Sequence, residues 1–298
     1  MLSQSAGVKS CLLCGHQETH LLLVDPLPSG WTRCVHRCVS CGSGFAFPPP
    51  SPEQVIQFYD TEYFACLEGS MVTKLRMKRI KKFLCQLTMT GCLLDVGCGT
   101  GEFMKLARKI GFNPVEGVEL SPYAAEKARA KGFNVWEGAF EIIATQLPAE
   151  SYDVITMLDF IEHVPDPAET LSLCQRLLKI GGWVFLHTPD YSNILSDTHL
   201  HIITKDWERV HLVYFTPIGL EAVLKRCGFQ KVQVFRCPPF PPGPPLHSLH
   251  RPDLPLWRKV GKVLTWVYKW VTKSLMIKMG IYSIGGTIVA WGQKPSVK

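Results

Sequence analysis

Apolar residues along this chain follow two rhythms. Short runs at Cys92 to Val96, Pro114 to Leu120, Phe133 to Trp136, Tyr152 to Met157 and Trp183 to His187 have the length and makeup of buried strands. Between them, apolar residues recur three and four apart. Phe103, Leu106, Ala107 and Ile110 mark a helix from Glu102 to Ile110. Ser121-Pro122 caps and opens a second helix, Tyr123 to Lys131, and Pro167 opens a third that runs to Lys179. Gly181-Gly182 forms the turn before the fifth strand. This strand–helix alternation predicts a parallel sheet with helices on both faces. No internal repeat is visible.

The flanks break the rhythm. Phe47 to Pro52 is a stiff proline break. Glu53 to Tyr59 then reads as helical, the aromatic cluster Tyr59 to Phe64 as packing, and Lys74 to Leu87 as a basic helix. Near the other end, Cys237 to Pro245 is a proline-rich linker. Trp257 to Met279 follows as an amphipathic helix, with Trp257, Val260, Leu264, Val267, Val271 and Leu275 on one face. Lys and Arg cover its other face. A last strand, Gly286 to Trp291, returns to the sheet, which makes the amphipathic helix an insertion. The chain thus divides into residues 1–50, 51–90, 91–236 and 237–298.

Composition and charge add a location and a polarity. The 298 residues are 46% hydrophobic and 19% charged, a globular balance. No secretory signal is visible, and twelve cysteines without one point to a reducing, cytoplasmic setting with metal ligands or buried thiols rather than disulfides. The net charge of +7 is uneven: residues 222–298 hold thirteen Lys and Arg against one acid, Asp253. A basic amphipathic tail with tryptophans suits an anionic membrane surface or a lipidic substrate; its other reading is a helix packed on the core with a solvated basic face.

The cysteines carry the first chemistry. Cys11-x-x-Cys14-Gly is answered by Cys38-x-x-Cys41-Gly, two knuckles able to give four thiolates to one tetrahedral zinc. Such a closed site is structural, since it leaves no open position. Cys34, His16 and His36 are nearby spares.

The second piece of chemistry is CLLDVGCGTG, residues 92–101. A strand ends at Asp95 and Val96, a turn follows with Gly97, Gly99 and Gly101, and a helix starts at Glu102. Such a turn lets a ligand lie against bare backbone at the carboxyl edge of an open sheet. Glu119 ends the next strand, where an acid can hold a ribose hydroxyl pair. The spacing is neither the dinucleotide G-x-G-x-x-G nor a phosphate loop. It resembles motif I of class I S-adenosylmethionine (SAM) methyltransferases. YDVITMLDFIEHVPDP at 152–167, LLKIGGWVFLHTP at 177–189 and HLVYFTPIGLEAVLKRCGF at 211–229 resemble the corresponding stretches of ubiquinone-biosynthesis O-methyltransferases.

That resemblance implies a Rossmann-like α/β fold: a seven-stranded, mostly parallel sheet, here with a zinc ribbon and a C-terminal helix insertion added. It implies SAM over the first strands. Asp95, Gly97 and Gly99 would bind its methionine part and Glu119 its ribose, with Cys98, Gly101, Leu120 and Asp159 completing the cofactor-binding set. Ala139 stands where many relatives place an acid near the adenine, and cannot make that contact. The expected reaction moves a methyl to a hydroxyl of an apolar or lipid-linked small molecule. His163 is the first candidate base and His211 the second, while His199 and His201 could face solvent on a lid. His163 could instead cap and orient its loop, and Asp159, Glu162 and His163 could hold a divalent ion. Rival expectations are an RNA-base methyltransferase, a sugar-nucleotide methyltransferase, or a SAM-binding or zinc-ribbon scaffold without chemistry. The ribbon is not strongly basic and lacks stacking aromatics, which makes nucleic acid the less favoured partner.

Overall fold

The computed structural model describes residues 10–27, 30–51, 71–87, 89–192, 211–237 and 286–296, together with Gln54 and Leu264. The expected helix at 53–59, the aromatic cluster at 59–64, His199, His201, the proline linker and, apart from Leu264, the amphipathic helix lie outside them.

Strands β1 (Thr19–Pro26), β2 (Thr32–Cys38) and β3 (Gly44–Ala46) come first, followed by helix α1 (Met71–Leu84). Then strands and helices alternate: β4 (Gly91–Val96), α2 (Glu102–Lys109), β5 (Phe112–Glu119), α3 (Pro122–Ala130), β6 (Asn134–Glu137), α4 (Phe140–Gln146) and β7 (Tyr152–Leu158). The alternation continues with α5 (Pro167–Leu177), β8 (Leu178–Pro189), the short β9 (Val213–Tyr214), α6 (Pro217–Arg226), β10 (Gln230–Cys237) and β11 (Thr287–Gln293).

Seven strands form one sheet in the order β10-β11-β8-β7-β4-β5-β6. The pairs among β4 to β8 are parallel, while β11 runs antiparallel to both neighbours. Alternate side chains point to opposite faces of a strand, and the packing follows that rule. Leu94, Ile155, Val184 and Leu186 pack with Phe140, Leu171 and Leu220 from α4, α5 and α6. Leu93, Val154, Phe185 and Val289 pack on the other face with Ile80, Phe103 and Ala125 from α1, α2 and α3. The expected layers, sheet and last strand are all present.

Local chemistry fixes the helix starts. Ser121 caps α3 by accepting from Ala124 N–H, Asp166 caps α5 by accepting from Ala168 and Glu169 N–H, and Thr216 caps α6 through Gly219 N–H. Two local expectations change. The helix from Pro167 ends at Leu177, and Gly181-Gly182 lies inside β8 rather than in a turn before it. Gly181 has φ 77°, and the pairing of β7 with β8 slips between Tyr152 and Val154. The glycines therefore make an irregularity in a long strand, which a local glycine signal cannot distinguish from a turn.

The second sheet is antiparallel, ordered β1-β2-β3-β9. Its last strand comes from residues 213–214, inside the stretch expected to belong to the core. Ala46 N–H donates to Leu212 O at 2.7 Å, and Thr216 Oγ1 donates to Cys41 O at 2.7 Å. A Cβ on Gly219 would stand 2.0 Å from Ser43 Oγ, so α6 meets this sheet at glycine distance. Cys11, Leu13, Cys38 and Phe45 join the same buried cluster as Leu220 and Val223. The cysteine-bearing sheet is thereby packed into the body of the fold.

Candidate active site

The turn after β4 draws the first group of candidates together. Gly97 and Cys98 N–H both donate to Val118 O, at 2.8 and 3.1 Å, which folds the turn back over β5. Gly97, Gly99 and Gly101 have φ of 72°, 51° and 81°, in the left-handed region that glycine tolerates. A Cβ on Gly97 would stand 2.5 Å from the Phe160 ring. Glu119 lies across the turn: Gly99 N–H donates to its Oε2 at 2.7 Å and Ser121 N–H to its Oε1 at 2.9 Å. The Leu120 backbone also bonds this carboxylate; with about four lone-pair sites, it keeps acceptor capacity for a ligand's hydroxyl. Leu120 beside it is half-buried.

Asp95 is buried and pairs in register with Gly117 and Thr156. Thr156 Oγ1 donates to its Oδ1 at 2.7 Å. Burial pushes its carboxyl up to about 7; the Thr156 hydrogen bond opposes this and the Glu119 charge adds to it. A cationic ligand group at Asp95 would favour the ionised form. The Cys98 thiol is buried and held far above its usual range, chiefly by that burial. Bare-backbone glycines, a spare-capacity carboxylate and a buried acid match the polar parts of SAM. Ala139 is the cap residue of α4 and offers no side-chain hydrogen bond there.

At the four cysteines the sulfurs converge. Cys11 Sγ lies 3.7 Å from Cys41 Sγ, and Cys14 Sγ 3.6 Å from Cys38 Sγ. A tetrahedral zinc with bonds of about 2.3 Å has sulfur–sulfur edges of about 3.8 Å, so the donor set fits that ion. The Cys11 thiol is raised by its contact with Cys41 and by burial. A dication offsets that preference, because thiolates are the ligating form.

The third group lies beyond β7. Asp159 has φ 55° and stands between His187, whose Nδ1 lies 2.7 Å from Oδ1, and the Arg76 guanidinium on Oδ2. Burial alone would raise its carboxyl, but His187 and Arg76 outweigh burial and hold it well below the usual range. Glu162 and His163 follow on a single 3-10 turn, Ile161–His163. Glu162 is fully buried; Thr188 Oγ1 donates to Oε2 at 2.9 Å, while Oε1 has no hydrogen-bond partner among the described residues. Burial and the nearby Asp159 push its carboxyl well above the ordinary range.

His163 and His211 come together, their rings 4.6 Å apart and edge to face. The Tyr191 hydroxyl bonds His211 Nδ1. Burial holds His211 well below its usual pKa, and the charges of His163 and Arg33 act in the same direction against Asp159. Glu162, His163 and His211 each place a ligating atom within 4.8 Å of the others. That trio, rather than Asp159, Glu162 and His163, is the set that could hold a divalent ion; Asp159 is already engaged by His187 and Arg76. A histidine pair next to a buried carboxyl can equally take a proton from a bound hydroxyl. Arg76 and Tyr191 carry no local motif, with only the basic character of α1 hinting at the first; His187 lies in the family-like stretch 177–189, but nothing within that stretch singles it out.

Comparison with known proteins gives these groups a context. The methyltransferase-domain family model matches residues 71–234. The ubiquinone biosynthesis O-methyltransferase of Hydrogenovibrio crunogenus is 30% identical over 169 residues, 53% of this chain and 68% of that protein. Its namesake in Thiobacillus denitrificans is 38% identical over 104 residues, 32% of this chain and 43% of that protein. The chain thus spans less than half the length of some curated relatives it matches. Among solved structures, a SAM-dependent methyltransferase from Archaeoglobus fulgidus superposes with TM-score 0.55 at 22% identity, covering 79% of this chain and 100% of that one. Phosphoethanolamine N-methyltransferase 2 of Haemonchus contortus, solved with SAM, gives TM-score 0.52 at 18% identity, over 74% of this chain and 53% of that one.

Proposed function

The chain belongs to the methyltransferase-domain family, and from that premise we propose that it transfers a methyl group from SAM to a hydroxyl of an apolar or lipid-linked small molecule. The observation that carries the reading is that β4 and β7 are parallel neighbours, so the glycine turn and the loop bearing His163 leave the same sheet edge, with a Cβ on Gly97 only 2.5 Å from the Phe160 ring. Bound SAM supplies an electrophilic methyl on a sulfonium. Asp95, Gly97, Cys98, Gly99 and Gly101 hold its amino-acid end, Glu119 and Leu120 its ribose side, and Asp159 with Arg76 the neighbouring edge. His163 takes the acceptor's proton, so that a more nucleophilic oxygen meets the methyl. Much of the remaining rate comes from alignment and exclusion of water. The chain's similarity to ubiquinone biosynthesis O-methyltransferases favours an apolar acceptor.

A second use of the same corner has its own support: Glu162 Oε1, which has no hydrogen-bond partner among the described residues, would gain a partner if Glu162, His163 and His211 held a divalent ion. Turnover restored by magnesium or manganese after mild chelation, with the zinc content unchanged, would select it.

In this reading Cys11, Cys14, Cys38 and Cys41 bind one structural zinc in an N-terminal module of residues 1–50, residues 51–90 lead into the core, residues 91–236 carry SAM, and residues 237–298 form the basic tail. The protein works in the cytoplasm, with the tail on an anionic membrane surface or lipidic acceptor. Among the described residues, no helix is long and apolar enough to cross a membrane. The test is incubation with methyl-labelled SAM and fractionated lipid, RNA and sugar-nucleotide extracts. Label in a lipid-fraction hydroxyl supports the reading; label confined to RNA or sugar nucleotides replaces it with one of those acceptors.

A further inference from the structure

Arg33 is the largest fully buried side chain among the described residues. It lies on β2 opposite Asp25 of β1, and its guanidinium donates to Asp25 Oδ2 at 2.7 Å. A buried ion pair is often no more stabilising than apolar packing of the same volume. Stability alone therefore gives a weak reason for an arginine here. The direction of its other arm gives a better one. Nη1 donates to the Tyr214 hydroxyl at 3.0 Å, across to β9.

From Tyr214 the contacts lead to the histidines. Its ring packs edge-on against Tyr191, with centroids 5.0 Å apart and planes at 86°. The Tyr191 hydroxyl bonds His211 Nδ1, and His211 meets His163 edge to face. A backbone path runs beside this one. Leu212 N–H donates to Glu162 O at 2.8 Å, and Leu212 O accepts from Ala46 N–H at 2.7 Å. The same strand β2 ends at Cys38, so one member of the four-cysteine cluster and Arg33 share an element.

We propose that the cysteine-bearing sheet is part of the active-site framework, with Arg33 a positioning residue that sets His211 through Tyr214 and Tyr191. The proposal rests on the reading that His163 and His211 face the acceptor. Arg33 touches no reacting atom. Its planar fork reaches two acceptors at once, which a lysine cannot reproduce. Tyr191 is thereby held in one pose, and its hydroxyl selects which His211 nitrogen carries the proton. The cofactor edge on β4 and β5 shares none of these contacts. Disturbance of the cysteine sheet should therefore reach the histidines and leave SAM binding alone.

The test uses the full chain labelled with ¹⁵N-histidine. A long-range nitrogen–proton correlation at one fixed pH reports the His211 tautomer, with Tyr191→Phe assigning the resonance. Zinc content and SAM calorimetry are read on the same samples. Arg33→Met should keep its zinc and its SAM affinity while the His211 nitrogen signals move toward tautomer averaging. Tyr214→Phe, which removes only the hydroxyl, should move them the same way by less, and Arg33→Lys should restore the wild-type pattern only in part. Unchanged His211 signals in both Arg33→Met and Tyr214→Phe overturn the proposal. If Arg33→Met also loses zinc or SAM affinity, Tyr214→Phe alone decides: a shift supports the proposal and its absence overturns it. No acceptor enters this readout. A protein that passes it yet methylates nothing contradicts the function proposed above, not the role of Arg33.

Discussion

Asp95, Gly97, Gly99, Gly101 and Glu119 all lie on one strand–turn–helix–strand stretch, β4 to β5. Glu162, His163, Tyr191, His211 and Arg33 come from separate stretches that meet only when two sheets pack. The first group is held by local backbone bonds, such as those of Gly97 and Cys98 to Val118 and of Gly99 to Glu119. The second is held by side chains and by one shared strand, β9, that links the cysteine sheet to the core. A local site tolerates damage elsewhere in the molecule, whereas an assembled site inherits the fate of every element that builds it. The two regions should therefore fail separately.

The largest effect is expected at the cysteines. Cys38→Ser should lower the metal content from about one zinc per chain to near none, and cost about 4 kcal/mol or more of stability, as loss of a metal ligand can. Elemental analysis and denaturant unfolding check this. SAM affinity in the protein that remains folded should stay near wild type. If it falls in parallel with the zinc, the separation of the two regions is broken.

Next in size is His163→Ala, expected to slow methyl transfer by roughly 10²-fold or more with SAM affinity unchanged. Steady-state kinetics on the acceptor fraction, paired with calorimetry, measures both. A joint loss of SAM binding and stability would make His163 a loop-orienting residue instead.

A smaller effect, with a definite sign, belongs to Asp95. Its folded pKa of about 7 lies above the ordinary value of 3.8, so the native state holds the proton more tightly than the unfolded one. Stability thus falls as pH rises between those two values, and the cost is complete above about 7. Asp95→Asn should be more stable than wild type at pH 8, by roughly 1–2 kcal/mol once a weaker bond from Thr156 is counted. The difference should close toward pH 4. SAM's cationic amino group favours the carboxylate, so wild-type affinity should rise from pH 6 to pH 8 while the variant's stays flat. A variant with wild-type pH dependence would remove Asp95 from the cofactor's polar end.

The same contrast governs how much could be read from the sequence. The glycine turn and Glu119 are legible because their spacing is set by a single β–α–β unit. The cysteine pairs are legible because each knuckle is local, and the sulfurs do converge. The apolar runs carry the parallel strands β4 to β8, since strands buried on both faces need continuous apolar side chains, while the count of seven comes from the family resemblance. Arg33, Arg76 and Tyr191 are illegible, since nothing near them in sequence shows what they will meet, and His187 is legible only as the end of a buried strand. The strand β9 is too short to leave a pattern. Gly181-Gly182 misleads because a glycine pair marks a turn and an irregular strand alike. His211 is legible only as a spare candidate, since its pairing with His163 depends on the Leu212 bonds to both Glu162 and Ala46.

The central claim is that SAM lies on the glycine turn with Glu119 as its anchor. The most direct measurement is calorimetric titration of SAM into wild type, Glu119→Gln and Cys38→Ser at pH 8. Removing a charged hydrogen-bond acceptor costs about 1.5–3 kcal/mol, so Glu119→Gln should bind roughly 10- to 100-fold more weakly than wild type. Cys38→Ser should bind as wild type does. Equal affinity in wild type and Glu119→Gln, or no heat of binding in wild type, would contradict the account.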